Sequence, residues 1–138
     1  MIKKIGFIGL LILSCVSCVK SGSTIPDVAV NFEASITDPR LSALRAVNGA
    51  VIIPGYGVAG LVLFREADGS YAAYDACSTY MPQNQCAVTL DNPTLTATDP
   101  CSGSKFSLTD GTPVKGPATS SLKSYAVNAT SFEIFVSN

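Results

Sequence analysis

The chain has no histidine and no tryptophan among its 138 residues, and only 14% of it is charged. Without an imidazole there can be no Ser-His-Asp or Cys-His catalytic set, and no structural zinc site of the mixed Cys/His kind. The cysteines do not fill that gap, because beyond the apolar N-terminal stretch, whose Cys15 and Cys18 are taken up below, no Cys-x-x-Cys pair occurs. Cations are also sparse: nine Lys and Arg stand against ten Asp and Glu, and nowhere do they cluster. Nucleic-acid binding, which needs clustered cations to neutralise phosphates, is therefore disfavoured, as is a polybasic membrane surface. No stretch has the regularly spaced oxygens of a calcium loop, and none has the long 3.6-residue periodicity of an amphipathic helix. The one long apolar run, Ile5 to Leu13, is too short to span a bilayer.

That run is informative for another reason. Lys3 and Lys4 precede it, and Ser14-Cys15 and Ser17-Cys18 follow it, which is the layout of a secretory leader. A small residue directly before Cys resembles a bacterial lipobox, in which the Cys is acylated and becomes the new N-terminus. Cys18 is the favoured lipidation site, with Cys15 as the alternative. On this reading residues 1–18 are the signal peptide, 19–26 a Ser/Gly-bearing tether, and 27–138 a single domain. The expected location is the bacterial cell envelope, on the outer or inner membrane, attached through the N-terminal lipid. Removing Lys3 and Lys4 leaves acidic residues in the majority. Export also places Cys77, Cys86 and Cys101 where disulfides persist, and three thiols give one pair and one free cysteine.

After the tether the pattern is that of short strands. Val28, Val30, Phe32 and Ala34 alternate with polar or small residues. Leu41 to Val47 suits one helical turn or a strand, and Asn48-Gly49 is a type I′ hairpin signal before Ala50–Ile53. Gly60–Arg65 and Tyr71–Asp75 flank a second turn at Ala67–Ser70, and the unbroken apolar run of the first predicts burial on both faces. A polar loop, Thr79–Gln85, leads to strands at Cys86–Leu90 and Leu95–Thr98. Leu122, Tyr125 and Val127, then Phe132, Ile134 and Val136, alternate around a turn at Asn128–Ser131. Nine or ten such strands predict an all-β antiparallel domain.

The most distinctive stretch is Asp99–Ala118, DPCSGSKFSLTDGTPVKGPA. It reads as a Gly-bearing turn, a short strand, a type I′ hairpin signal at Asp110-Gly111, a second strand and a Gly-Pro break. This order resembles the second cluster-binding loop of Rieske iron–sulfur domains, Cys-Pro-x-His-Gly-Ser-x-Phe, followed by a hairpin and Gly-Pro-Ala. Asp99 stands where the ligand Cys would be, and Ser102 where the ligand His would be. Upstream, Tyr71–Tyr80 takes the place of the first loop, with Cys77 kept and Thr79 at the His position. A Rieske centre needs two imidazoles on one iron and two thiolates on the other. Here only one of the four ligand positions, Cys77, is retained.

The resemblance implies an antiparallel β-sandwich of Rieske type, with Cys77, Thr79, Asp99 and Ser102 as degenerate cluster-loop positions. It also implies a disulfide between the two loops, with Cys101 as one partner, Cys86 as the positional candidate for the other, and Cys77–Cys101 as the alternative. A metal held by Cys77, Cys86, Cys101 and Asp99 lacks the paired ligand spacing of structural sites. The expectation is thus a domain without cofactor or metal and without catalytic residues, acting as a binding or accessory module toward a protein or small molecule. The rival readings are a [2Fe-2S] electron-transfer protein and a thiol-redox protein using Cys77 with Cys86 or Cys101.

Overall fold

The computed structural model describes residues 25–138; the lipidation candidates Cys15 and Cys18, the leader and most of the tether lie outside the described residues. In chain order the strands are β1 (Asn31–Ser35), β2 (Ala50–Ile53), β3 (Leu61–Arg65), β4 (Tyr71–Asp75), β5 (Thr89–Leu90), β6 (Thr96–Thr98), β7 (Lys105–Ser107), β8 (Pro113–Lys115), β9 (Ser124–Ala129) and β10 (Glu133–Ser137). They form two antiparallel sheets, one ordered β1-β10-β9-β4-β3-β2 and the other β5-β6-β7-β8. The chain is all-β, as its alternating pattern predicts. Among the described residues no helix is long and apolar enough to cross a membrane.

The apolar run of β3 explains the layering. Leu61 and Leu63 point into one core with Phe32, Leu41, Leu44, Ile134 and Val136. Val62 and Phe64 point into the other, with Tyr74, Val88, Phe106, Leu108 and Leu122. These four of the five β3 side chains are fully buried. At about 1.5–3 kcal/mol each, they couple the two layers through one strand. The six-stranded sheet therefore carries a core on either face, and the small sheet closes one of them. Ile25, at the end of the expected tether, is also buried. Beyond it Val28 O accepts from Asn138 Nδ2 and the Val30 amide donates to Asn138 Oδ1, so the last residue holds the chain leading into β1.

Several turns differ from expectation. Of the two readings of Leu41–Val47 the helical one holds, as a 3-10 segment over residues 39–45 started by Pro39 and by the Asp38 carboxylate accepting the Arg40 amide at 2.8 Å. Asn48-Gly49 consequently joins that segment to β2 and makes no hairpin. Asn48 has φ +62°, but Gly49 is needed for close approach: a Cβ there would stand 1.9 Å from the Ala43 carbonyl oxygen. At Asp110-Gly111 a hairpin does form, but only Gly111 has positive φ, so the turn is not type I′, which requires both. The expected strand Cys86–Leu90 shrinks to Thr89–Leu90, because Cys86 is tied into the loop described below. Phe132 falls in the last turn, 79% exposed, since Thr130 closes that turn by accepting the Phe132 and Glu133 amides.

Candidate functional site

Two loops meet where β4 and β6 end. Each opens on the same short motif, Asp75-Ala76-Cys77 and Asp99-Pro100-Cys101. In both, the aspartate is fully buried and its Oδ1 accepts the amide two residues on at 2.8 Å. Asp and Asn favour this local turn because the short side chain imitates a backbone carbonyl.

The first loop folds back on itself through the Ser78 amide donating to Cys86 O at 2.8 Å and an isolated bridge between Cys77 and Ala87. Its far end is a short 3-10 turn, Pro82–Asn84, flanked by Met81 and Gln85, both in the left-handed region. The second loop closes more tightly: the Asp99 amide donates to Ser104 O and the Gly103 amide to Asp99 O, each at 2.8 Å, with Gly103 at φ +80°. A disulfide joins Cys86 to Cys101 across a Cα separation of 6.3 Å, leaving Cys77 free and buried. This is the positional pairing and not the alternative with Cys77.

Around Asp99 the polar groups form one network. Ser102 Oγ donates to Asp99 Oδ2 and lies 2.8 Å from Ser104 Oγ, which in turn accepts the Ala118 amide at 2.9 Å. Burial works against the Asp99 charge. Donors from Ser102, Ser78 and the Cys101 and Ser102 amides outweigh it, so the carboxyl is held below the usual carboxylate range. Thr79 is not part of this network; its hydroxyl donates to the Ser120 carbonyl. Cys77 packs its Sγ 3.6 Å from Ser78 O and 3.7 Å from Pro82 O. Burial, reinforced by the Asp75 and Asp99 carboxylates, pushes its thiol up to about 11, which disfavours the thiolate needed of a nucleophile or redox partner.

The four degenerate cluster-loop positions thus occur in one region but do not converge on one point. Asp99 and Ser102 bond each other, Thr79 faces a neighbouring strand connection, and Cys77 is enclosed. The carboxylate of Asp99 lies within 4.8 Å of the sulfurs of Cys86 and Cys101. Those sulfurs are joined to each other, so they offer no thiolate to a metal.

Asp75 is the residue whose role exceeds its sequence reading. Besides the Cys77 amide it accepts from the Val58 amide at 2.7 Å, the Ala59 amide at 3.1 Å and the Tyr125 hydroxyl at 2.7 Å. Burial and that carboxylate together raise the Tyr125 phenol well above its ordinary range. Gly57, at φ +64°, permits the approach, since a Cβ would stand 2.3 Å from Asp75 Oδ2. Ser78 and Ser104 are buried as well, although nothing local in the sequence marks them as interior groups. The recurrence of Asp-x-Cys is the one sequence signal that marks both hubs.

No family model matches the sequence, and no curated protein does. Solved structures do. The cyanobacterial plasma membrane Rieske protein PetC3 from Synechocystis PCC 6803 is similar to 79% of this chain over 97% of its own, with 23% identity and a TM-score of 0.54. The ferredoxin of carbazole 1,9a-dioxygenase from Nocardioides aromaticivorans IC177 is a weaker match, at 19% identity over 70% of this chain and 93% of its own, with a TM-score of 0.46. With two antiparallel sheets and the likeness in shape to the Synechocystis protein, the chain has a Rieske-type fold.

Proposed function

We propose that this protein is a lipid-anchored protein of the bacterial envelope whose Rieske-type domain works without a [2Fe-2S] cluster, as a non-catalytic binding or accessory module. The observation that carries the reading is the donor set at the paired loops. A Rieske centre takes two imidazoles and two thiolates, and the positions here present Cys77, Thr79, Asp99 and Ser102 in a chain with no histidine. The residues present do not fit that group. Two further loop thiols are consumed by the Cys86–Cys101 disulfide. The Asp99 carboxylate already accepts from an amide and from hydroxyls, so its lone pairs are occupied by the protein.

The same network supports a structural use of the loops. Hydroxyls and a carboxylate fill with hydrogen bonds the space that ligands would otherwise turn toward a metal. A fold does not bring its function along when the reactive groups differ. The lipid anchor rests on the Lys3-Lys4, apolar, Ser-Cys order of the leader.

The test is the visible spectrum and metal content of the protein purified anaerobically from iron-replete cells. The expected result is a colourless, metal-free protein that unfolds cooperatively. Stoichiometric iron with sulfide-to-iron charge-transfer bands would instead establish the electron-transfer reading. Mass spectrometry of the mature N-terminus tests the anchor: a diacylglyceryl adduct on Cys18, or on Cys15, is expected, and an unmodified N-terminus overturns it.

A further inference from the structure

The opposite end of β4 from the paired loops holds a second feature. The 3-10 segment at residues 39–45, the end of β3, the start of β4 and β10 enclose a pocket of about 250 Å3, just under the ordinary range of about 300–1,000 Å3 for small-molecule sites. Leu41, Leu44 and Ile134 give it apolar walls. It shares Ile36, Arg65 and Tyr71 with an adjoining open groove of about 690 Å3 whose rim includes Ser70, Thr130 and Ser131. An apolar chamber therefore opens onto a polar one, with Arg65 standing between them.

The charges at this place are unusual for the protein. Arg40, Lys105 and Lys123 each hold a carboxylate, of Asp38, Asp91 and Asp27, at 2.7–3.2 Å. Arg45, Arg65 and Lys115 have no such partner among the described residues, and Arg45 and Arg65 line the same pocket. In a chain where acids outnumber cations, two arginines left without carboxylates are gathered around one opening.

Arg65 is also held in place. Its Nη1 donates to the Leu44 and Arg45 carbonyls, both at 3.1 Å, and its guanidinium carbon lies 5.7 Å from the Tyr71 ring centroid. Its Nε is buried without a hydrogen-bond partner, which marks a guanidinium whose donors the protein does not use up. Nη2 lies 3.8 Å from where a Cβ on Gly69 would stand, on the side of the open groove.

We propose that pocket and groove form one binding site for a small organic carboxylate. Its apolar body would sit among Leu41, Leu44 and Ile134, and its head on Arg65 and Arg45 beside the rim hydroxyls. Charge complementarity selects the anion, because Arg65 is a fixed cation whose Nη1 is held by two carbonyls while Nη2, on the groove side, is left to donate to a carboxylate oxygen. The enclosed volume admits a body of about one ring or a short branched chain. This site is independent of how the paired loops are read.

The test titrates the full-length protein in lipid nanodiscs with 3-phenylpropionate, 3-phenylpropanol and 3-phenylpropylammonium, following the methyl NMR signals of Ile36, Leu41, Leu44 and Ile134. The carboxylate is expected to shift those signals saturably and to bind ~10-fold more tightly than the alcohol, the factor of one charge-assisted hydrogen bond. The ammonium is expected to bind most weakly. Arg65→Met should abolish the preference for the carboxylate. Because Arg65 also ties down the 3-10 segment, Arg45→Gln, at an exposed side chain, provides a second variant that keeps the fold and should reduce the preference about threefold. Equal binding of the three probes, shifts confined to other methyls, or no saturable shift at all would each overturn the proposal. So would contacts showing the pocket filled by the chain's own first 24 residues. None of these results depends on iron content, so failure here is distinguishable from failure of the cluster-free reading.

Discussion

Asp75 and Asp99 begin from the same local turn and end in different kinds of structure. Both are buried and both accept the amide of a cysteine two residues on at 2.8 Å. Asp75 then reaches across the fold, to amides 16 and 17 residues away and to the Tyr125 hydroxyl 50 residues away. Through them it pins the β2–β3 connection and β9 to the end of β4. Asp99 takes its Ser102 and amide donors from within three residues, with Ser78 reaching in from the other loop. The first carboxylate organises the sheet, whereas the second organises a loop that a covalent bond already holds. The same Asp-x-Cys turn can therefore be a keystone or a local clasp, depending on what the rest of the chain brings to its free lone pairs.

The comparison can be broken from its stronger side. Asp75→Ala leaves the Val58, Ala59 and Cys77 amides and the Tyr125 hydroxyl without their acceptor. The Cys77 amide and the Tyr125 hydroxyl are buried, at about 1–3 kcal/mol each when left unsatisfied, and the part-buried Val58 and Ala59 amides add less, so the expected loss is about 4 kcal/mol, a large share of a small domain's stability. Denaturant unfolding followed by circular dichroism measures it. A loss below about 1 kcal/mol would remove Asp75 from its role in the sheet.

The covalent clasp comes next in size. Cys101→Ser opens a bridge between residues 15 apart in sequence and is expected to cost about 3 kcal/mol on the chain-entropy account. Wild-type protein in reductant should lose the same amount, and the variant should lose nothing further when reductant is added. If the unfolding midpoint of Cys101→Ser matches that of the oxidised wild type, the second loop does not rely on its disulfide.

How much of this could be read from the sequence follows from how local each feature is. The two-sided burial of β3 is written in the unbroken run Leu61-Val62-Leu63-Phe64, since a strand wet on one face would alternate. The loop order of Asp99–Ala118, set by Gly, Pro and Asp at fixed offsets, carried the fold resemblance and Cys101 as a disulfide partner, but it left Cys86 and Cys77 both open as the other half, which only the fold decides. Asn48-Gly49 misled because a dipeptide reports left-handed φ and close approach without saying what precedes it, and a 3-10 segment fixed by Asp38 and Pro39 came first. The reach of Asp75 was hidden because its partners, Val58, Ala59 and Tyr125, are brought to it only by the pairing of β3, β4 and β9. The Arg45–Arg65 pocket was hidden for the same reason: two isolated arginines become neighbours only when the 3-10 segment packs over β3.

The smallest effect sharpens the comparison most, because it isolates one charge. Asp99→Asn keeps the shape of the side chain but sets an amide donor where a carboxylate oxygen accepts, at an expected cost of about 2 kcal/mol at pH 7. The folded carboxyl of Asp99 lies below its ordinary range, while in the unfolded chain it returns to about 3.9. A depressed carboxyl stabilises fully above the unfolded value and loses that contribution as pH falls through the folded one. The gap between wild type and Asp99→Asn should thus stay constant from about pH 8 to pH 5 and narrow below about pH 4. Asp27, Asp38, Asp68, Asp91 and Asp110 are also depressed, but they titrate in both proteins and cancel in the difference. Urea unfolding of the pair across this pH range measures the gap. A gap that stays unchanged down to about pH 3 would mean that the charge on Asp99 contributes nothing, and that the loop is held by its disulfide and backbone bonds alone.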